Sequence, residues 1–276
     1  MSDNTKTGWE RENRIHFDEI AVNYDKARWD YPAELFADIF EYLGVGHKTA
    51  LEIGAGTGKA TAPFINAGYD VTAVEMGVNM SAFIREKFKE RANLNVITAT
   101  FEDAALPDDT YDLIYAASAF HWVDAKIGCP KVLCLLKNGG VFALLRYNDY
   151  TADGEPLYEE IQAVFDKYYR NFYETSMRVV RHSNQDLTEP SGILNGFGFE
   201  DMRAYGFADV LLKFYDTTLT YSADDYVALM DTMSPNRKLP EEYRTAMYTG
   251  IKEAIIRHGG RYCQNGVFTL YMGRKP

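Results

Sequence analysis

The stretch that most constrains the fold is TALEIGAGTGKAT, residues 49–61. An apolar run with strand character leads into Gly54, Gly56 and Gly58, after which a helix can begin. Glycine tolerates a positive φ and lets another group approach the backbone closely. A strand, a glycine turn and a helix in this order form the first βα unit of an open α/β sheet, where ligands bind outside the carboxyl ends of the strands. The stretch therefore predicts a ligand site at the glycine turn.

Two glutamates narrow the kind of ligand that this turn would bind. Glu75 ends the next apolar run, about 20 positions past the glycines, where a carboxylate can accept hydrogen bonds from both hydroxyls of a ribose. Glu52 precedes the first glycine, where its charge would repel a pyrophosphate and attract an ammonium or another cationic centre. The pair predicts a nucleoside ligand that carries positive charge and no phosphate.

The glycine spacing argues against two other nucleotide-binding motifs. The dinucleotide fingerprint G-x-G-x-x-G needs a glycine where Lys59 stands, and no G-x-x-x-x-G-K-[ST] phosphate loop includes these glycines. A nicotinamide-dependent oxidoreductase is therefore a disfavoured alternative. Binding of NAD to the protein would support this alternative.

Composition limits the class of protein and of partner. The chain has 276 residues, of which 46% are hydrophobic, enough for one large domain or one domain with a cap. The net charge of −11, without a basic block, disfavours a nucleic-acid partner, because phosphate contacts need lysine and arginine. No apolar run approaches the roughly 18 residues of a membrane span, and the polar N-terminus does not resemble a secretory signal. With three scattered cysteines and no cluster at metal-ligand spacing, we expect a cytoplasmic protein without a membrane or metal partner.

Four motifs carry a family resemblance. They are E-x-G-x-G-x-G at 52–58, FDEIAVNYDKARWDYP at 17–32, SAFHWVD at 118–124 and LLKNGG at 135–140. Together they resemble the class I S-adenosylmethionine-dependent methyltransferases, and within these the ubiquinone/menaquinone and trans-aconitate methyltransferase-like group. The resemblance implies methyl transfer from S-adenosylmethionine to an O, N or C atom of a small molecule, a carboxylated one among the candidates. The product would be S-adenosylhomocysteine, and no metal is implied.

The resemblance also implies the fold. We expect a Rossmann-like, doubly wound α/β sheet of seven strands with an antiparallel edge strand, N-terminal helices, and a helical cap inserted after strand five. A single domain, 1–276, would comprise an N-terminal helical segment (1–45), a cofactor-binding core (46–147), a cap insertion (148–206) and C-terminal strands and helices that complete the sheet (207–276). Residues 9–31 have the pattern of a helical lead-in.

A cofactor site at the ends of the first four strands follows from the same resemblance. Its residues would be Glu52, Gly54, Gly56, Gly58, Glu75, Met76, Thr100, Phe101, Glu102 and Ala117. Thr100 departs from the family pattern, which has an acidic side chain at this position. The recognition of the adenine amino group is therefore left open, with Glu102 as a candidate.

Residues for the reaction itself come from the end of strand four and the N-terminal segment. His121 and Trp122 match a histidine–tryptophan pair of the family, and a histidine with an ordinary pKa of about 6.5 suits a general base. The substrate-pocket candidates are Tyr24, Arg28, Tyr31, Trp122 and Arg146, with the two arginines as anchors for a carboxylate. The alternative is a catalytically silent protein that binds S-adenosylmethionine or S-adenosylhomocysteine for regulation, and turnover separates the two.

Overall fold

The computed structural model describes residues 21–46, 48–150, 155–175 and 202–276. Its strands are β1 Thr49–Ile53, β2 Asp70–Glu75, β3 Leu94–Thr98, β4 Tyr111–Ala117, β5 Leu136–Tyr150, β6 Ala208–Ser222 and β7 Arg261–Arg274. Its α-helices are α1 Ala21–Ala27, α2 Ala33–Leu43, α3 Thr61–Asn66, α4 Val78–Lys87, α5 Ala125–Leu135, α6 Pro156–Phe165, α7 Ala223–Asp231, α8 Ser234–Arg237 and α9 Glu241–Arg257. This is the α/β architecture that the sequence predicts.

The seven strands described form one mixed sheet in the order β3-β2-β1-β4-β5-β7-β6. β1 to β5 run parallel, and β7 runs antiparallel to both β5 and β6. The predicted fold class is confirmed, with one correction: the antiparallel strand lies one position inside the edge. Most residues of β7 are buried, whereas β6 alternates half-buried and exposed residues. β6 is therefore the strand suited to an open side.

An apolar layer covers each face of the sheet. Alternate residues of β5 divide between the layers, with Phe142 and Leu144 on the face covered by α5, and Ala143 and Leu145 on the face covered by α2 and α3. β4 is buried along almost its whole length. Because both faces are covered, the carboxyl ends of the strands are the place left for a ligand.

A separate layer of helices is formed by chain segments that come after β5. Ile161 of α6, Leu229 of α7 and Ile251 of α9 belong to one buried cluster. This layer therefore combines a helix that precedes β6 in the sequence with helices that follow it. The cap is thus not confined to the predicted insertion, 148–206. β5 also continues past the predicted end of the cofactor-binding core at 147, because its residues pair with β7 as far as Tyr150. Residues 176–201 of the predicted insertion lie outside the described residues.

The N-terminal segment is helical over a shorter stretch than the sequence predicts. α1 ends at Ala27, and the chain is extended or bent from there to Pro32, since the residue before a proline disfavours helical geometry. The earlier part of the predicted lead-in, 9–20, lies outside the described residues. No helix in the described ranges has the length and apolar character needed to cross a membrane.

Candidate active site

The glycine turn leaves the end of β1 at Gly54. The N–H groups of Gly54 and Ala55 donate to the carbonyl of Val74 at 2.8 and 3.2 Å, which ties the turn to β2. Gly54 has a φ of +68°, and a Cβ there would lie 2.5 Å from the Cβ of Ala119. Gly56 has a φ of +56°, and a Cβ there would meet nothing within 4 Å. Packing therefore requires Gly54, whereas Gly56 borders space that a ligand can occupy.

Gly58 does not border that space. A Cβ there would lie 2.5 Å from Cε2 of Phe88 and 3.1 Å from Ile84, and Gly58 lines neither of the two chambers described below. The sequence predicts that Gly58 belongs to the cofactor site, but the structure places it outside both chambers. Its lack of a side chain instead lets the turn pack closely against α4.

Glu75 is held at the end of β2 by backbone groups. One carboxylate oxygen accepts a hydrogen bond from the N–H of Gly56, and the other accepts one from the N–H of Gly77, both at 2.8 Å. Glu75 is 9% exposed. Each oxygen of an ionised carboxylate has more than one lone pair, so both can still accept from ligand hydroxyls.

The carboxyl ends of the strands form a cleft with two chambers that share Tyr24, Gly54, Gly56, Ala117 and Ser118 as walls. The first chamber lies over the ends of β2, β3 and β4. Its walls bring together these predicted site residues: Tyr24, Gly54, Gly56, Glu75, Met76, Thr100, Phe101, Glu102, Ala117 and Trp122. Residues from five separate segments of the chain therefore meet around one space.

Thr100 uses its hydroxyl within its own loop. The hydroxyl donates to Oδ2 of Asp103 at 2.8 Å and accepts a hydrogen bond from the N–H of Asp103 at 3.2 Å. The carbonyl of Thr100 also accepts from the N–H of Ala104 at 3.0 Å. These bonds close a turn at the wall of the first chamber, in the manner of a capping box.

Glu52 lines the second chamber and is 1% exposed. Its Oε2 accepts hydrogen bonds from the hydroxyl of Thr61 and from the hydroxyl of Tyr115, the latter at 3.0 Å. Burial raises the pKa of Glu52 to about 8, against the smaller lowering effect of these two hydrogen bonds. The site therefore favours a proton on Glu52 when nothing cationic is near, and a cation would favour its ionised form.

Two buried polar atoms of the second chamber have no hydrogen-bond partner among the described residues. They are Nε of Arg28 and Oγ1 of Thr57. The Nη2 of Arg28 donates to the carbonyl of Thr232 and to Sδ of Met233, both at 3.2 Å. An unsatisfied buried polar group costs about 1–3 kcal/mol, so these two atoms mark a place where a polar ligand would be stabilised.

Tyr31 and Ser118 meet where the second chamber reaches the end of β4. Their side-chain oxygens are 3.0 Å apart. Ser118 has a φ of +51°, although it is not glycine, and its N–H donates to the carbonyl of Leu145 at 2.8 Å. Such backbone strain is concentrated at functional sites. Burial raises the pKa of Tyr31, so its hydroxyl remains neutral.

His121 does not have the properties expected of a general base. It lies in a short 3-10 helix, Phe120–Trp122, and lines neither chamber. Burial, and secondly the charge of Arg146, lower the pKa of His121 to about 3. A base this weak takes up a proton poorly, so the structure removes the physical basis on which the sequence suggested this role.

Arg146 also lies outside the walls of both chambers, on β5. Burial lowers its pKa, and the hydroxyl of Tyr31 is near enough to act on it electrostatically. Among the described residues, the recorded hydrogen bond of Arg146 goes from Nε to the side-chain oxygen of Asn148 at 3.4 Å, and no carboxylate pairs with it. Arg146 is thus a partly buried cation without a compensating anion in the part of the chain that the structure describes.

The N-terminal segment is fastened over the cleft by two ion pairs. Lys87 of α4 lies 2.7 Å from Asp25, and Lys59 lies 2.8 Å from Asp30. Lys87 also donates to the carbonyl of Thr57 at 3.1 Å, which links the segment to the glycine turn. These contacts hold Tyr24 and Tyr31 against the chambers.

Sequence reasoning missed several residues of the site. Thr57 and the Tyr31–Ser118 contact carried no signal, because their importance depends on burial and on a partner distant in the chain. Lys131, which contacts the loop after β3, was also missed. No group of three or more His, Cys, Asp or Glu residues in the described ranges has the arrangement of a metal site.

Comparison with known proteins identifies the family and the fold. Residues 51–144, which include the glycine turn and Glu75, match the family model of a methyltransferase domain. The chain is 26% identical over 239 residues to an uncharacterized methyltransferase of Schizosaccharomyces pombe, an alignment that covers 85% of this chain and 84% of that protein. This chain belongs to the class I S-adenosylmethionine-dependent methyltransferases.

Two further proteins resemble this methyltransferase. An uncharacterized methyltransferase of Mycobacterium tuberculosis is 31% identical over 135 residues, or 49% of this chain, which spans only about half (53%) of that protein. The structure of phosphoethanolamine N-methyltransferase 2 from Haemonchus contortus, in complex with phosphomonomethylethanolamine and S-adenosylhomocysteine, has a TM-score of 0.52 at 14% identity. That similarity covers 94% of this chain and 57% of the other, and it concerns the fold alone. The finer resemblance to the ubiquinone/menaquinone and trans-aconitate group stays a prediction.

Proposed function

We propose that this methyltransferase transfers the methyl group of S-adenosylmethionine to a carboxylate oxygen of a small molecule, in the cytoplasm. The first chamber would hold the nucleoside, with the ribose hydroxyls on Glu75 and the adenine between Met76 and Phe101. The second chamber would hold the amino-acid end of the cofactor. The observation that carries the proposal for the cofactor is the meeting of Glu75, Gly56 and the loop after β3 around one space.

The second chamber fits the charges of an amino acid. Glu52 would face the ammonium group, since a buried carboxyl is favoured in its ionised form by a nearby cation. The unpaired Nε of Arg28 and Oγ1 of Thr57 would face the α-carboxylate. This division gives Arg28 to the cofactor, rather than to the acceptor for which the sequence suggested it.

The case for a carboxylate acceptor rests on Arg146. Arg146 is partly buried, and a charge held away from water without a partner is destabilising, so a ligand anion would compensate it. His121 and Tyr31, which interact electrostatically with Arg146, are both neutral near pH 7 and add no competing charge. An anionic acceptor is therefore favoured at the end of β4 and β5 over a cationic one.

The protonation states also favour a nucleophile that needs no base. His121 is too weak a base, Tyr31 does not ionise near neutral pH, and Glu52 lies at the cofactor end with its Oε2 engaged. A carboxylate oxygen is already nucleophilic: its lone pair forms a bond to the methyl carbon, the carbon–sulfur bond breaks, and that electron pair stays on sulfur. No proton moves, and the products are a methyl ester and S-adenosylhomocysteine. The chemistry calls for no metal ion.

The protein contributes to the reaction by positioning the cofactor and the acceptor and by enclosing them in the cleft. Tyr24, Tyr31 and Trp122 provide aromatic walls, and the ion pairs of Lys87 and Lys59 keep the N-terminal segment closed over them. Holding two reactants in line can contribute about 7–11 kcal/mol toward lowering a barrier. Conversion of a carboxylate to a neutral ester would also end its attraction to Arg146, which favours product release.

Two measurements test this proposal in sequence. Calorimetric titration with S-adenosylhomocysteine, with NAD as the control ligand, should give micromolar binding of the first and none of the second. Transfer of a labelled methyl group should then be screened on carboxylic acids, matched with amides and alcohols of the same skeleton. Activity on amines or phenols but not on acids would overturn the assignment of the acceptor. Binding without turnover on any acceptor class would instead favour the silent, regulatory alternative.

A further inference from the structure

Lys131 of α5 reaches the loop that follows β3. Its Nζ donates to the carbonyl oxygens of Phe101 at 2.8 Å, Glu102 at 3.1 Å and Ala104 at 2.7 Å. A lysine ammonium has three N–H donors, so all three are satisfied by the backbone of one short loop. The side chain also lies 5.1 Å from the centre of the Phe101 ring, within the range of a cation–π interaction.

This arrangement has a cost that an ordinary surface lysine does not have. Lys131 is partly buried, and burial lowers its pKa, although the charges of Glu102 and Asp103 act in the opposite direction. A solvated ammonium would make the same number of hydrogen bonds to water with less loss of side-chain freedom. The benefit of these hydrogen bonds is therefore the shape they give to the loop, because three of its carbonyl groups point toward the one ammonium group of Lys131.

The same loop presents other groups to the first chamber. Thr100, Phe101 and Glu102 line that chamber, and the N–H of Phe101 donates to no acceptor among the described residues. The hydroxyl of Thr100 is turned toward Asp103, where the family pattern has an acidic side chain that would face the base. Recognition of the base therefore falls to Glu102 and to the backbone and shape of a loop that Lys131 holds.

We propose that Lys131 is a positioning residue that keeps residues 100–104 in the shape that recognises the adenine base, in place of an acidic side chain at position 100. The inference rests on the proposed placement of the nucleoside in the first chamber. It assigns to Lys131 a role in selecting the base, and none in binding the methyl acceptor.

The test compares two ligands that differ only in the base. S-adenosylhomocysteine carries the adenine amino group, and S-inosylhomocysteine has a carbonyl oxygen in its place. We expect the unaltered protein to prefer the adenine ligand at least tenfold, and Lys131→Met to reduce this preference to less than threefold. Lys126→Met is the matched control, since Lys126 is an exposed lysine of the same helix, and it should keep the full preference.

A purely structural role for Lys131 would lower the melting temperature and weaken both ligands equally, which would overturn the proposal. If Lys131→Met does not fold, Lys131→Gln, which keeps two N–H donors, should still lower the preference at least threefold. Equal binding of both ligands by the unaltered protein would also refute the inference, while leaving the cofactor assignment intact. Failure of the unaltered protein to bind S-adenosylhomocysteine at all would refute the proposed function itself.

Discussion

The two ends of the cleft differ in how far their polar groups are already satisfied. At the nucleoside end, each carboxylate oxygen of Glu75 holds a backbone N–H, and Lys131 holds three carbonyls of the neighbouring loop. In the second chamber, Nε of Arg28 has no partner in the described ranges, and Arg146, just beyond the chamber walls at the reaction end, has no carboxylate partner there. The first end is organised before a ligand arrives. The second keeps its charges available for the reactants.

This difference predicts that substitutions in the two regions will have different effects on ligand binding and on stability. Changes at the nucleoside end should alter cofactor affinity, because they disturb geometry that is already built. Changes to the unpaired arginines should alter binding of the reactant that each one faces, which is the acceptor for Arg146 and the cofactor for Arg28. They should leave the fold intact or more stable, because an unpaired charge with little access to water is unfavourable in the free protein.

The largest effect is expected from Arg146→Met. Loss of a partly buried charge that pairs with the acceptor should weaken acceptor binding by about 2–5 kcal/mol, seen as a rise in KM of at least about 30-fold. Affinity for S-adenosylhomocysteine should stay within about twofold, and the melting temperature should not fall. Steady-state kinetics and thermal unfolding measure these values, with the surface variant Arg91→Met as the control. An unchanged KM would mean that Arg146 does not face the acceptor.

Glu75→Ala should weaken binding of S-adenosylhomocysteine by about 1–3 kcal/mol, because it removes the hydrogen bonds to the ribose and releases the N–H of Gly56. Calorimetry measures the loss, and Glu86→Ala, an exposed carboxylate on α4, is the control. If Glu75→Ala binds as tightly as the unaltered protein, the ribose does not lie at the end of β2.

Arg28→Met sharpens the division between the two arginines. We expect roughly tenfold weaker binding of S-adenosylhomocysteine, or about 1.4 kcal/mol, since one charged contact to its carboxylate is lost. The acceptor's KM at saturating cofactor should change less than about twofold. Lys26→Met, which removes an exposed charge from α1, is the control. The opposite result, a raised KM with unchanged cofactor affinity, would return Arg28 to the acceptor site.

The smallest effect is a pH dependence that originates at Glu52. Its pKa is about 8 in the free protein, so Glu52 is protonated at pH 6 to 7, and a bound ammonium group should lower that pKa. Binding then releases a proton, and affinity for S-adenosylhomocysteine should rise with pH in this window, by up to about tenfold per unit. Calorimetry in buffers of different ionisation enthalpy counts the proton. Glu52→Gln should abolish both the release and the slope, and a slope that survives in this variant would place its origin elsewhere.

Much of this methyltransferase is predictable from consecutive residues. The glycine turn, Glu75 and the alternation of strands and helices through β5 follow from local patterns, because glycine at a positive φ and apolar periodicity are properties of short segments. The family resemblance, rather than local pattern, grouped Met76, Thr100, Phe101 and Glu102 in one predicted site, and all four line the first chamber.

The tertiary structure decided what depends on burial and on distant partners. Sequence spacing made Gly54 and Gly58 look alike, yet one packs against Ala119 and the other against Phe88. The hydroxyls of Tyr31 and Ser118 meet from positions 87 residues apart.

His121 shows most clearly what the sequence alone cannot predict. Its identity suggested a base near neutral pH, but burial and the charge of Arg146 lower its pKa to about 3. The sequence determined which side chains are present and where the backbone turns. The packing around those side chains determined their charge, because the cost of ionising a group depends on the water and the charges that the fold leaves beside it.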